Sequence, residues 1–177
     1  MTPTIQALTL ESFLRLPNIE ESPAWELIDG ELLQKPMPTI HHSILQKRLV
    51  AAIDRVESQY EAFPELRCVL RQQSIVPDVA VILSSRVPAE NESVQGAPDW
   101  MIEILSPDQS TTKLISKINA CLLEGSKLGW LLDSKEEVIM VFWSDRPLSI
   151  ISKEMIVPVL PDINLQMTAQ QIFDWLK

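Results

Sequence analysis

Two carboxylates interrupt apolar stretches of this chain. Asp78 lies in IVPDVAVIL, residues 75–83, and Glu103 in DWMIEILS, residues 99–106. Runs of Val, Ile and Ala on both sides are the pattern of a strand covered on both faces. A carboxylate there is costly unless it is paired, hydrogen-bonded or bound to a metal. Pro77-Asp78 alone also reads as a turn just ahead of the strand, and a lone strand glutamate can face solvent. Taken together, the two acids predict adjacent strands that present carboxylates to one point. Two such charges about 4 Å apart repel by roughly 1 kcal/mol in water and roughly 4 kcal/mol at an effective dielectric of 20. A shared proton or a divalent cation relieves that repulsion. Oxygen donors suit Mg2+ or Mn2+, which keep several waters and take one or two carboxylates. A water on such an ion can act as a nucleophile at neutral pH. On the repulsion argument, neutralising either acid should leave the metal-free protein as stable or more stable.

The elements that must position these acids follow from periodicity and punctuation. Thr9 to Leu16 reads as a short helix stopped by Pro17. WELIDGELLQ, residues 25–34, is a hairpin about Asp29-Gly30. From His42 to about Glu57, apolar residues at spacings of three and four predict a helix. Residues 66–73 and 75–83 read as strands, 84–98 as a polar loop, and 99–106 as the next strand. QSTTKLISKINACLLEG then predicts a helix ending at Gly125. LGWLLD and EVIMVFW are strands around Ser134-Lys135, a further hairpin is predicted near 148–151 and 155–159, and Thr168 to Leu176 closes as a helix. The order predicts one α/β (α+β) domain over 1–177, with a mixed sheet drawn mainly from residues 66–143 and flanked by helices.

The totals narrow the function classes. The 177 residues carry 15 Lys plus Arg against 24 Asp plus Glu, a formal charge of −9. That balance argues against broad, nonspecific nucleic-acid affinity, though a local basic face remains open. No apolar run approaches a membrane span, and the N-terminus lacks the pattern of a secretory signal. A cytoplasmic protein with no membrane partner is the expectation. Cys68 and Cys121 belong to no metal-binding cluster and read as buried, reduced thiols. The five tryptophans sit among aliphatics and read as core or subunit packing.

The ordered set WELIDGEL, His42-Ser43, VPDVAV, IEILSP and Trp130 to Asp133 resembles the Uma-type restriction endonuclease family of bacteria, within the PD-(D/E)XK nuclease superfamily. The resemblance spans about residues 9–176. It implies a restriction-endonuclease-like fold and Mg2+- or Mn2+-dependent hydrolysis of phosphodiesters, most readily in DNA. Asp78 and Glu103 would be catalytic and metal-binding, with the backbone carbonyl of Ile104 as a third ligand and Glu26 completing the metal shell. The motif's lysine is missing two residues after Glu103, where the chain has Leu105. The matching position is Lys117 on the following helix, whose flexible stem can bring an ammonium to the same point. Lys113, one turn earlier on the same face, is the alternative. His42 is a candidate for contact with a substrate phosphate.

An endonuclease-like hydrolase is therefore expected. A catalytically inactive relative that binds nucleic acid or protein is the main alternative, and a hydrolase of small phosphoesters is another. Cleavage of both strands of a duplex commonly uses two sites related by two-fold symmetry, so a homodimer is expected, with the tryptophans and residues 155–176 as candidate contacts.

Overall fold

The computed structural model describes residues 8–177. In chain order the elements are α1 (Leu10–Leu14), β1 (Trp25–Ile28), β2 (Glu31–Gln34), α2 (Ile40–Asp54), β3 (Tyr60–Pro64), β4 (Cys68–Val69), β5 (Ser74–Ile75), β6 (Val79–Leu83), β7 (Val94–Gln95), β8 (Trp100–Ile104), α3 (Thr111–Leu123), β9 (Leu128–Asp133), β10 (Val138–Trp143), β11 (Ser149–Ser152) and α4 (Ala169–Phe173). Local chemistry sets the boundaries that matter for the site. Asp29 and Gly30 both take positive φ, 51° and 79°, as a two-residue hairpin turn requires. That turn fixes the register of β1 on β2, with Glu26 opposite Leu33 and Ile28 opposite Glu31. Thr39 caps α2 by accepting the His42 N–H, and Ser110 caps α3 by accepting the Lys113 N–H.

Two sheets form. The larger has the order β11-β10-β9-β8-β6-β3. It is mixed: β8 and β9 run parallel, connected through α3, and the other pairs are antiparallel. Its pleat sorts side chains strictly. Val79, Val81, Trp100, Ile102, Trp130 and Leu132 turn to one face, where Leu45, Leu49 and Ile53 of α2 and the C-terminal segment cover them. Ala80, Ile82, Met101 and Leu131 turn to the other face, against Leu114, Ile118 and Cys121 of α3. The smaller sheet, β2-β1-β5-β4-β7, joins this second layer through Ile28, Cys68 and Ile75. Gly129 makes the close approach of α3 possible: a Cβ there would stand 2.5 Å from Ile118 Cγ2. The residue before Ile118 is Lys117.

Several expectations need correction. There is not one sheet from residues 66–143: the short β4 and β5 belong to the second sheet, and the main sheet takes the unforeseen β3 at one edge and β11 at the other. The strand expected over 66–73 survives only as Cys68–Val69, since the chain turns back at Leu70, whose N–H donates to the Gln73 carbonyl, and pairs β4 with β5. The second strand of the hairpin near 155–159 is absent; Ile156 makes a single bridge to Thr168 instead. Helix α1 is shorter than Thr9–Leu16. The closing helix is α4 followed by a 3-10 turn, Asp174–Leu176. Trp100 and Trp130 are core residues, packed edge to face with centroids 4.6 Å apart.

Candidate active site

Asp78 stands where the run IVPDVAVIL breaks. Ser74–Ile75 pairs in the small sheet, Val79–Leu83 pairs in the large one, and Val76-Pro77-Asp78 is the crossing between them. Both readings of Pro77-Asp78 therefore hold, since it is a turn between two buried strands. The register of β6 on β8, Val79 opposite Ile102, brings Asp78 abreast of Glu103. The Asp78 carboxylate continues the ladder with a side chain: Oδ2 accepts the Ile104 N–H at 2.7 Å. Lys35 Nζ lies 2.8 Å from Oδ1, and His42 Nε2 lies 3.1 Å from the same oxygen. Burial alone would raise this carboxyl, but the Lys35 ammonium and the His42 hydrogen bond overcome it and hold Asp78 well below the usual range.

Glu103 is equally buried, and its environment acts the other way. By alternation it shares the face of Met101, under α3. Lys117 Nζ lies 2.7 Å from Glu103 Oε1 and 2.7 Å from Glu26 Oε1. At Glu103 Oε1 the Lys117 ammonium stands alone, with no backbone N–H beside it. Burial outweighs the Lys117 ammonium, the Asp78 charge adds to it, and the Glu103 carboxyl is pushed up to about 7. Glu26 is tied down: its Oε1 accepts the Val76 N–H at 2.6 Å. Burial works against the Lys117 ammonium, yet Glu103 and Glu26 raise its pKa. Lys117 is therefore charged and wedged between two acids.

The structure thus brings Asp78, Glu103, Glu26, Lys117 and His42 together, with the Ile104 backbone alongside. Lys113 stays apart. It lines the outer part of the cavity, exposed, and its nearest acid is Glu31 at 3.8 Å. Burial pushes the Cys68 thiol up to about 12 and raises Cys121 as well, so neither is a thiolate at neutral pH.

Sequence reading missed Lys35, Glu65 and Gln46. Lys35 Nζ lies 2.8 Å from each of Asp78 Oδ1, Glu65 Oε2 and the Val76 carbonyl oxygen. Gln46 Nε2 donates to Glu65 Oε1 and to the Asp78 carbonyl. A signal for Lys35 existed. The Asp29-Gly30 turn sets Glu26 opposite Leu33, and two residues further along β2 the chain returns to the same face at Lys35. Glu65 and Gln46 carried no such signal, because β3 had not been recognised.

Two cavities flank the carboxylates. One of about 450 Å³ is lined by Glu26, Glu103 and Lys117 among others, and one of about 180 Å³ by Asp78, His42, Gln46 and Glu65. Among the described residues, no three His, Cys, Asp or Glu side chains gather as a ready-made metal cage. A magnesium site does not need one, since two carboxylates, a carbonyl and several waters suffice. The donor chemistry fits such an ion: hard oxygens from Asp78 and Glu103, with Glu103 Oε1 buried and met by the Lys117 ammonium but by no backbone donor.

A family model described as a putative restriction endonuclease, Uma2, matches residues 10–169. Among solved structures, a putative nuclease belonging to DUF820 from Anabaena variabilis is similar with a TM-score of 0.89 and 39% sequence identity, covering 96% of this chain and 99% of that one. No curated protein matches the chain.

Proposed function

The chain belongs to the Uma2 family, described as putative restriction endonucleases, and we propose that it is a divalent-metal-dependent nuclease acting on DNA. One observation carries this reading: Asp78 and Glu103 lie abreast on paired strands, with the Lys117 ammonium 2.7 Å from Glu103. Asp78, Glu103 and the Ile104 carbonyl would hold Mg2+ or Mn2+. The ion would supply a Lewis acid and lower the pKa of an attacking water. On the ion Glu103 would be held ionised, and its carboxylate would be placed to accept a hydrogen bond from that water and orient it. Lys117 is suited to offset negative charge as the phosphorus–oxygen bond forms and the ester bond to the leaving oxygen breaks. His42 stands beside Asp78 at the first turn of α2, where a substrate phosphate would pass.

A body with a formal charge of −9 needs a basic face to hold DNA, and α2 supplies one. Lys47, Arg48 and Arg55 are exposed and make no ion pair among the described residues. Arg48 and Arg55 lie seven residues apart, two turns along one face of the helix that begins at the site. Uncompensated cations in a row are suited to a phosphate backbone. Cleavage of both strands calls for two sites, and we propose a homodimer through the β11 edge, where Leu148, Ile150, Met155 and Ile156 expose apolar side chains. Light scattering of a monomer mass at micromolar concentration would remove that part.

The deciding experiment offers plasmid DNA, single-stranded DNA, RNA and a small phosphodiester with Mg2+ or Mn2+. The expected result is DNA cleavage that needs the ion and disappears in Asp78→Asn and Glu103→Gln. Turnover of the small diester alone would identify a phosphohydrolase instead. No turnover of any substrate, with no Mn2+ uptake, would replace this reading with a non-enzymatic binding role.

A further inference from the structure

Lys35 has no part in the chemistry proposed above, yet it occupies the centre of the site. It lines both cavities, together with Pro36 and Gln109. Its ammonium makes three contacts of 2.8 Å, to Asp78 Oδ1, Glu65 Oε2 and the Val76 carbonyl oxygen. Both oxygens of Asp78 are engaged: Oδ2 accepts the Ile104 N–H, and Oδ1 meets Lys35 and His42. An ion that binds through Oδ1 displaces a donor, and one that uses the remaining acceptor site of Oδ2 is repelled by the Lys35 ammonium until that ammonium moves away. The Ile104 N–H belongs to the rigid frame of the large sheet. His42 is fixed in the first turn of α2. Lys35 carries its charge on a flexible four-carbon stem, and two other acceptors, Glu65 and Val76, already hold it when it leaves Asp78.

We infer that Lys35 is an internal counter-ion that competes with the divalent metal for Asp78, so that metal uptake is an exchange of ammonium for ion. This rests on the metal site proposed above. In the free protein Lys35 offsets a buried carboxylate that would otherwise stand uncompensated. The same contact weakens metal binding, because the ion must displace a neighbouring cation at 2.8 Å from the oxygen it needs. When the ion arrives, Lys35 falls back onto Glu65, which is half exposed at the mouth of the smaller cavity.

The test is Mn2+ affinity by titration calorimetry at fixed pH, without substrate, in the full chain. Lys35→Gln keeps a donor for the Val76 carbonyl but removes the charge; it should bind Mn2+ at least tenfold more tightly than wild type. Lys35→Met should behave alike, with Lys35→Gln carrying the test if Lys35→Met does not fold. Lys35→Arg keeps the charge and should stay close to wild type. Lys113→Met removes a cation from the same cavity without touching Asp78, and should change affinity by less than twofold. Wild type and Lys35→Gln binding equally, while Asp78→Asn does not bind, would overturn the exchange and leave the metal site standing. Equal gains in Lys35→Gln and Lys113→Met would overturn it too, as a bulk charge effect. No uptake by any variant at millimolar Mn2+ would overturn both the exchange and the metal site beneath it.

Discussion

Asp78 and Glu103 sit side by side, both buried and each beside a lysine, yet the protein treats them in opposite ways. Asp78 is surrounded by donors: a sheet N–H, a histidine and the Lys35 ammonium all reach its two oxygens. Glu103 has one ion-pair partner, Lys117, which it shares with Glu26, and no backbone N–H on Oε1. The first acid is held ionised; the second is poised near neutrality. Burial is the same in both, so burial does not decide the protonation state. The number and alignment of donors does. In the metal-free protein one acid is therefore a fixed anion and the other exchanges a proton near neutral pH.

The largest expected effect comes from removing the cation on the Glu103 side. Lys117→Met leaves Glu26 and Glu103 buried and uncompensated. It should destabilise the protein by about 3–5 kcal/mol at pH 8, and by clearly less at pH 5, where Glu103 can take up a proton. Urea unfolding at both values measures this, and equal losses would show that Glu103 is not the poised group. Glu103→Gln should do the reverse. A carboxyl whose folded pKa is raised from an ordinary 4.5 to about 7 contributes best below pH 4.5, and stability falls as pH rises through 7. That loss is on the order of 3 kcal/mol above pH 7. The metal-free Glu103→Gln variant should therefore gain up to that amount at pH 8, converge with wild type near pH 4.5, and lose Mn2+ uptake. A variant less stable than wild type at pH 8 would contradict the contrast.

Asp78→Asn should lose stability where Glu103→Gln gains it. The charge-assisted contacts to Lys35 and His42 disappear, at a cost of about 1.5–3 kcal/mol. Here the folded pKa is depressed, so the wild-type advantage is present in full above the ordinary carboxylate pKa of 3.8, shrinks as pH falls below it, and is lost only as pH passes the folded pKa. Thermal melts at pH 7 and pH 3 check both the sign and the window. Repulsion between the two acids predicted that either change would be neutral or favourable. For Asp78 the Lys35 and His42 contacts reverse the expected sign, because both favour the charged carboxylate.

Much of the site was legible because its acids sit in strands whose pattern has no other use for them. Asp78 and Glu103 break runs of Val, Ile and Met, and a two-residue period places both on the α3 side. The Asp29-Gly30 turn fixed Glu26 in register before any contact was known. What stayed hidden depends on pairings distant in sequence. β3 reads as YEAFP, with a proline and one acid, and forms a strand only because it can lie along β6. The split of IVPDVAVIL between two sheets follows from partners on both sides, Leu27 for Ser74 and Ile102 for Val79. The hairpin turn places Lys35 on the Glu26 face, but its contact with Asp78 spans 43 residues and depends on how the two sheets meet.

The smallest expected effect separates two lysines that the sequence could not rank. Lys113 and Lys117 stand one helical turn apart on α3, so periodicity offers either one to the carboxylates. The close approach at Gly129 decides between them. It presses the Ile118 turn of α3 onto β9, which buries Lys117 between Glu26 and Glu103 and leaves Lys113 nearer the outer end, beside Glu31. Both partners of that outer pair are about two-thirds exposed and 3.8 Å apart, a geometry worth at most a few tenths of a kcal/mol after screening. Lys113→Met should therefore shift stability by less than about 0.5 kcal/mol, with no difference between pH 5 and pH 8. Its DNA affinity can still fall, because an exposed cation at the cavity mouth can meet a phosphate. A Lys113→Met variant that copies the pH-dependent loss of Lys117→Met would mean that the two lysines share the Glu103 site, and that the close packing at Gly129 does not choose between them.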